Sequence, residues 1–180
     1  APDRIIISVN SLFASQFQNF IDDYKGTMNL QLYIEPSLSE EEKLGALGAL
    51  HLLFKELEIK GPVFIAGGDN LSDFDLNRMV TMAQNTGRDV IGLYDVEDIE
   101  LAKLYGIAQQ DGDRISDFVE KPLAPSSTLA ATAYWLLSKS GISHFLDYMG
   151  SGGDRDAMGN FLAWNVRRND VRSVVFRGIF

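Results

Sequence analysis

Short apolar runs alternate with helically spaced apolar positions along most of this chain. Residues 4–9 are β-branched and bounded by polar residues, the pattern of a buried strand. Phe13, Phe17, Phe20, Ile21 and Tyr24 then recur at helical spacing up to a stop at Gly26. Leu30, Leu32 and Ile34 alternate, as in a strand with one apolar face. Ser39 and Glu42 have capping-box spacing, and the helix they introduce runs through Leu47, Leu53, Phe54 and Leu57 to Gly61-Pro62. Val63–Ala66 is wholly apolar, which predicts a strand inside a sheet rather than on its edge. Leu76, Met79, Val80 and Ala83 mark a helix closed near Gly87, and residues 90–96 are a strand again.

This alternation predicts βαβ units and a mostly parallel, Rossmann-like sheet in a three-layer α/β/α arrangement. The second half adds a β-hairpin: residues 106–110 and 114–119 flank the tight-turn pair Asp111-Gly112. A strand over residues 130–137, a helix over 138–148, a helix around Phe161 and Val166 and a final strand over 171–177 complete the pattern. Residues 150–153 read as a mobile connection. No repeat or composition shift divides the chain, so residues 1–180 are expected to form a single domain.

Composition narrows the function. With 16 Lys and Arg against 25 Asp and Glu, the net charge of −9 argues against general nucleic-acid binding, though not against a nucleotide held by one local cation or metal. The absence of cysteine removes disulfides, thiolate nucleophiles and sulfur-ligated zinc, and two histidines make a His-rich metal site improbable. No apolar run approaches the roughly 18 residues of a membrane helix, and the first residues do not form a signal peptide. A cytoplasmic protein with no membrane partner is expected, with homo-oligomerisation left open.

The most informative local feature is Gly67-Gly68-Asp69-Asn70, delivered at the carboxyl end of an apolar strand. Ligands bind at that edge of an open α/β sheet, and a carboxylate there suits Mg²⁺ shared with substrate phosphates. A turn with an Asx cap accounts for the same pattern equally well. Gly45 and Gly48 open a helix one turn apart, for close backbone packing or for a base lying on the helix start. Phe118-Val119-Glu120-Lys121-Pro122 ends a strand with a hydroxyl-binding acid and a phosphate-binding base, or simply with a solvated strand end. His51 lies among leucines as a packed residue, and the acidic cluster of Asp95, Glu97, Asp98 and Glu100 reads as a solvated loop and helix start.

In this order the motifs resemble the sugar-phosphate nucleotidyltransferase family, and within it the glucose-1-phosphate thymidylyltransferase and uridylyltransferase branch. The segment over residues 43–50 is similar to L-G-T-x-G-A-L, Gly67 to Asn70 to G-D-N, Tyr105-Gly106 to Y-G-V and residues 118–122 to F-V-E-K-P. The resemblance implies that Asp69 binds a catalytic Mg²⁺, and that Glu35, Gly45 and Gly68 contact the nucleotide. It implies that Gly106 and Glu120 hold the sugar and that Lys121, a catalytic residue with Asp69, contacts the sugar phosphate. The implied reaction joins a sugar-1-phosphate, glucose-1-phosphate first, to dTTP or UTP with release of pyrophosphate. The alternative is a non-catalytic relative that binds nucleotide sugar or a protein partner.

Ala131 and a missing triphosphate loop favour that alternative, while intact Gly68-Asp69 and Glu120-Lys121 favour the enzyme. Three departures bear on sugar specificity and activity. Ala46 stands for a Thr, Ala131 for a sugar-binding Asn and Ala133 for a Gly. The family's triphosphate loop G-x-G-T-R and its metal-aspartate motif W-x-D-I-G-T do not occur. The chain is therefore expected to be incomplete at both ends and, alone, inactive or weakly active.

Overall fold

The computed structural model describes residues 2–36 and 44–179. The capping box of Ser39 and Glu42 and the residues Lys43 and Phe180 lie outside that set. The elements follow in the order β1 (Ile5–Asn10), α1 (Ala14–Asp23), β2 (Leu30–Glu35), α2 (Ala46–Glu56), β3 (Val63–Ala66), α3 (Asn77–Thr86) and β4 (Asp89–Asp95). A short α4 (Ile99–Ala102), β5 (Gly106–Asp111), β6 (Arg114–Glu120), β7 (Leu129–Leu137), α5 (Lys139–Gly150), α6 (Met158–Val166) and β8 (Val171–Phe176) complete the chain. The Asp111-Gly112 hairpin forms as expected, with Asp111 paired to Arg114 and Gly112 at φ 61°.

The sheet is mixed rather than mostly parallel. β1 and β2 pair in parallel as a separate ribbon. The other six strands lie in the order β3-β7-β4-β8-β6-β5, where β4–β8 is parallel and the remaining pairings are antiparallel. β5 also touches β7 through Ile107 and Ala130, a barrel-like closure that a three-layer Rossmann sheet lacks. The reversal has a local cause. β6 ends at the edge where β4 ends, and residues 121–128 contain no helix to carry the chain to the other side. β7 must therefore start at that edge and run back between β3 and β4.

Among the described residues β3 pairs with β7 alone, so it is an edge strand and not the expected interior one. Its apolar character comes from cover on two faces. Val63 and Ile65 pack into the main core, and Phe64 into a second cluster. β7 alternates likewise: Trp135 and Leu137 face α2, α5 and α6, while Tyr134 and Leu136 face α3 with Met79. Met79 is 0% exposed, a burial that stabilises by about 2 kcal/mol.

The β1–β2 ribbon departs from its sequence pattern. Leu30, Leu32 and Ile34 do alternate, but Ile34 is 49% exposed and Tyr33, on the opposite face, joins the main core. The Tyr33 hydroxyl donates to Glu56 Oε2 of α2 at 2.8 Å. On α1 the apolar spacing marks a real helix, yet none of its residues is buried.

A buried carboxylate ties three elements. Asp89 at the start of β4 accepts from the Ser138 N–H and hydroxyl (2.9 and 2.7 Å) and from Asn165 Nδ2 (3.0 Å). Ser138 in turn caps α5 by accepting the Gly141 N–H at 3.0 Å. A Cβ on Gly141 would strike the Asp89 carboxylate, so this approach requires glycine.

Candidate functional site

Strand register brings most of the candidate residues to one sheet edge. Ala66, near the end of β3, lies opposite Tyr134; Asp95 ends β4 opposite Leu129; Gly106 opens β5 opposite Glu120, which ends β6. The loop carrying Gly68 and Asp69, the pair Glu120-Lys121 and the start of β7 therefore share that edge.

Gly106 and Glu120 are in direct contact. A Cβ on Gly106 would come within 2.7 Å of Glu120 Oε2 and would also strike the Phe118 ring. A Cβ on Gly159, in the first turn of α6, would run into the same Oε2 and lie 3.0 Å from Glu120 Cδ. The carboxylate thus sits between two glycine backbones, over a helix start that has no acidic residue and no side-chain cap of its own. Negative charge there is favourable. Lys121 follows at φ 44°, exposed, with its N–H donating to the Tyr105 carbonyl at 3.1 Å.

Ile107 pairs with Ala130, so Ala131 follows that pair beside Gly106 on β5. A methyl there offers a ligand no hydrogen bond.

The glycine loop after β3 is fixed by close approach. The Gly67 N–H donates to the Ala133 carbonyl at 3.1 Å, and a Cβ on Gly67 would come within 2.9 Å of the Ala133 methyl. Gly68 is open, with nothing within 4 Å of a Cβ. Asp69 is exposed; its Oδ1 accepts from Asn70 Nδ2 at 2.9 Å. No cluster of three or more His, Asp or Glu side chains suited to a metal occurs among the described residues. One hard oxygen donor fits an ion whose other ligands are substrate phosphates and water, and does not fit a resident all-protein metal site.

Glu35 and Gly45 lie on other elements, at the end of β2 and the start of α2. Glu35 Oε1 accepts from the Ser8 hydroxyl at 2.9 Å at the end of the β1–β2 ribbon. Gly45, at φ 71°, precedes α2, and a Cβ there would strike the Arg155 backbone. The Arg155 carbonyl accepts the Leu47 and Gly48 N–H groups, both at 3.1 Å. Close packing is thus one use of these helix-opening glycines. A hollow of about 390 Å³ lies between Gly45 and residues 154–156, and another of about 350 Å³ beside Arg78 and Asp113. Neither is lined by Asp69, Glu120 or Lys121; Asp69 and Lys121 are exposed and Glu120 is half-buried.

At the same edge Asp95 is held below the ordinary carboxylate range by the Thr128 hydroxyl, then by the Glu97 N–H. His51 is lowered by burial first, then by Lys55 and Arg155. Half-buried, it packs against Phe145 with ring centroids 6.4 Å apart.

The profile of the family described as Nucleotidyl transferase matches residues 3–178. The chain belongs to that family. Among nucleotidyl transferase relatives, a protein described as a mannose-1-phosphate guanyltransferase of Sulfolobus acidocaldarius is 27% identical over 117 residues. That match covers 65% of this chain and 32% of the archaeal protein, so the chain spans about a third of that relative's length. A Bacillus anthracis protein described as a glucose-1-phosphate thymidylyltransferase, solved in complex with a sucrose, superposes with a TM-score of 0.72 at 19% identity. The match covers 98% of this chain and 69% of that one. An apo UDP-glucose pyrophosphorylase superposes with a TM-score of 0.77 at 16% identity, over 98% and 74% of the respective chains.

Two features of this nucleotidyl transferase chain were missed in its sequence. Gly159 was legible in principle: glycine inside a helical pattern weakens it and calls for a packing reason. Residues 150–153, expected as a mobile connection, are tied back by Gly153, which donates to the Tyr148 carbonyl at 3.0 Å, and just beyond them Arg155 accepts from α2. No sequence signal pairs that loop with Gly45, because the two lie about a hundred positions apart.

Proposed function

We propose that this chain carries the sugar-phosphate half of a nucleotidyltransferase site, joining a sugar-1-phosphate to a nucleoside triphosphate with release of pyrophosphate. The observation that carries the reading is the Glu120 carboxylate seated against Gly106, at the sheet edge that also holds Lys121 and Asp69. In this reading Glu120 accepts hydrogen bonds from sugar hydroxyls, and Lys121 offsets the charge of the sugar phosphate. A phosphate oxygen of the sugar-1-phosphate attacks the α-phosphorus of the nucleotide. The bond from that phosphorus to the bridging oxygen breaks, and pyrophosphate leaves with the electron pair. Both substrates are polyanions, so alignment and charge offset supply much of the rate. Asp69 would hold a Mg²⁺ delivered with the triphosphate, which neutralises phosphate charge when bound. Glu35, Gly45 and Gly68 are proposed nucleotide contacts. Gly45 would offer its backbone, since packing on Arg155 already excludes a side chain.

Glucose-1-phosphate with dTTP or UTP is the first pair to test, and mannose-1-phosphate with GTP the second. A pyrophosphate-release assay with each pair tests the reaction. Turnover abolished by Lys121→Ala supports the reading, and turnover unaffected by it overturns the assigned role. Weak turnover is expected from these 180 residues, because the G-x-G-T-R loop is not among them. The non-catalytic alternative is favoured by one observation: Ala131, beside Gly106, brings no hydrogen-bonding side chain to the sugar shelf. Binding of sugar phosphate without turnover, in the chain extended at both ends, would establish it.

A further inference from the structure

We infer that Gly159 is a positioning residue for the sugar, through its contact with Glu120; the inference rests on the functional reading above. Gly159 has ordinary backbone, outside the left-handed region that itself demands glycine. It occupies the first turn of α6, where alanine would favour the helix. Space is what excludes alanine. A Cβ would meet Glu120 Oε2, and after it the Phe118 ring at 3.2 Å. From the other side Gly106 leaves room for the same oxygen.

The carboxylate is therefore clamped between a strand backbone and a helix backbone before any ligand arrives. No hydrogen bond among the described residues engages its oxygens, so its accepting capacity is kept for a ligand while its direction is fixed by steric walls. Pre-organisation of this kind matters for a group that must meet sugar hydroxyls at fixed angles, because a displaced acceptor loses directional bonds. Gly159 acts at one remove and touches no substrate. A methyl there drives Oε2 off the shelf.

The test uses the full chain with glucose-1-phosphate and mannose-1-phosphate as sugar probes and UTP and GTP as nucleotide probes, measured by calorimetry. Variants are Gly159→Ala, Glu120→Ala and the double variant, each with its melting temperature. Gly159→Ala should weaken sugar-phosphate affinity by about tenfold, the scale of one lost bond to a charged group, with nucleotide affinity nearly unchanged. It should lower the melting temperature when Glu120 is present and raise or spare it in the Glu120→Ala background, where the methyl meets no carboxylate. Unchanged sugar-phosphate affinity in Gly159→Ala, or the same thermal effect in both backgrounds, would overturn the inference. If Gly159→Ala fails to fold, folding of the double variant supports the clamp, and failure of both overturns it. A wild type that binds neither sugar phosphate, or a Glu120→Ala variant that binds as well as wild type, sinks the functional reading itself and the inference with it.

Discussion

Lys121 leaves Glu120 with a left-handed φ of 44°, which bends the chain out of β6 where regular alternation would send the two side chains to opposite faces. Its N–H, turned to the Tyr105 carbonyl, fixes the bend. A non-glycine residue in this conformation costs about 1 kcal/mol. Lys121→Gly should therefore raise folding stability by up to about 1 kcal/mol while losing sugar-phosphate affinity. Urea denaturation and titration with glucose-1-phosphate check the two halves. A destabilised Lys121→Gly would mean that the side chain supports the fold.

Asp69 stands alone as a hard donor, so its metal affinity should depend on substrate. Asp69→Asn is expected to leave Mg²⁺ binding unchanged without nucleotide and to weaken it in the presence of UTP or GTP. Calorimetric Mg²⁺ titrations of both proteins, with and without nucleotide, measure this. Equal affinities under every condition would remove Asp69 from the metal role.

The fold was legible where local signals were complete. Gly87 ends α3 in the left-handed conformation, and the Asp111-Gly112 turn closes its hairpin. The direction of β7 was not, because a nine-residue apolar strand reads the same whether it runs parallel or antiparallel; the turn at residues 121–128 decides it. Nor did β3 reveal its edge position, since burial on two faces produces the composition of an interior strand. At the site, the motifs singled out Gly106 and Glu120 separately; their pairing across the hairpin came from the strand register, and Gly159 from a helix start with no chemical side chain to mark it.

Asp89 should be among the costliest residues to remove. Asp89→Ala strips the Ser138 N–H, the Ser138 hydroxyl and Asn165 Nδ2 of their common acceptor in a buried setting. A loss of about 2–4 kcal/mol is expected from the stranded donors. Guanidinium denaturation against wild type reads it, and a loss below about 0.5 kcal/mol, typical of a surface change, would contradict the staple.

Tyr33 makes the attachment of the β1–β2 ribbon pH-dependent. Burial, then the bond to Glu56 and the charges of Glu56 and Glu35, push its hydroxyl from 10.0 up to about 12. The folded pKa is raised, so its stabilising contribution is complete below pH 10.0 and is lost as pH rises toward about 12. Tyr33→Phe should lower stability at neutral pH and flatten the alkaline loss over that window. Urea midpoints of the two proteins across the window measure it. Parallel curves would show that Tyr33 titrates as an exposed phenol.

The central claim is that the shelf around Gly106, Glu120 and Lys121 receives a sugar-1-phosphate. Backbone amide spectra of the ¹⁵N-labelled chain, titrated with glucose-1-phosphate and mannose-1-phosphate, test it most directly. The account predicts saturable shifts at Gly106, Lys121 and Gly159 with at least one of the two ligands. Shifts confined to the groove beside Arg78 and Asp113, or no saturable shift with either ligand, would contradict it.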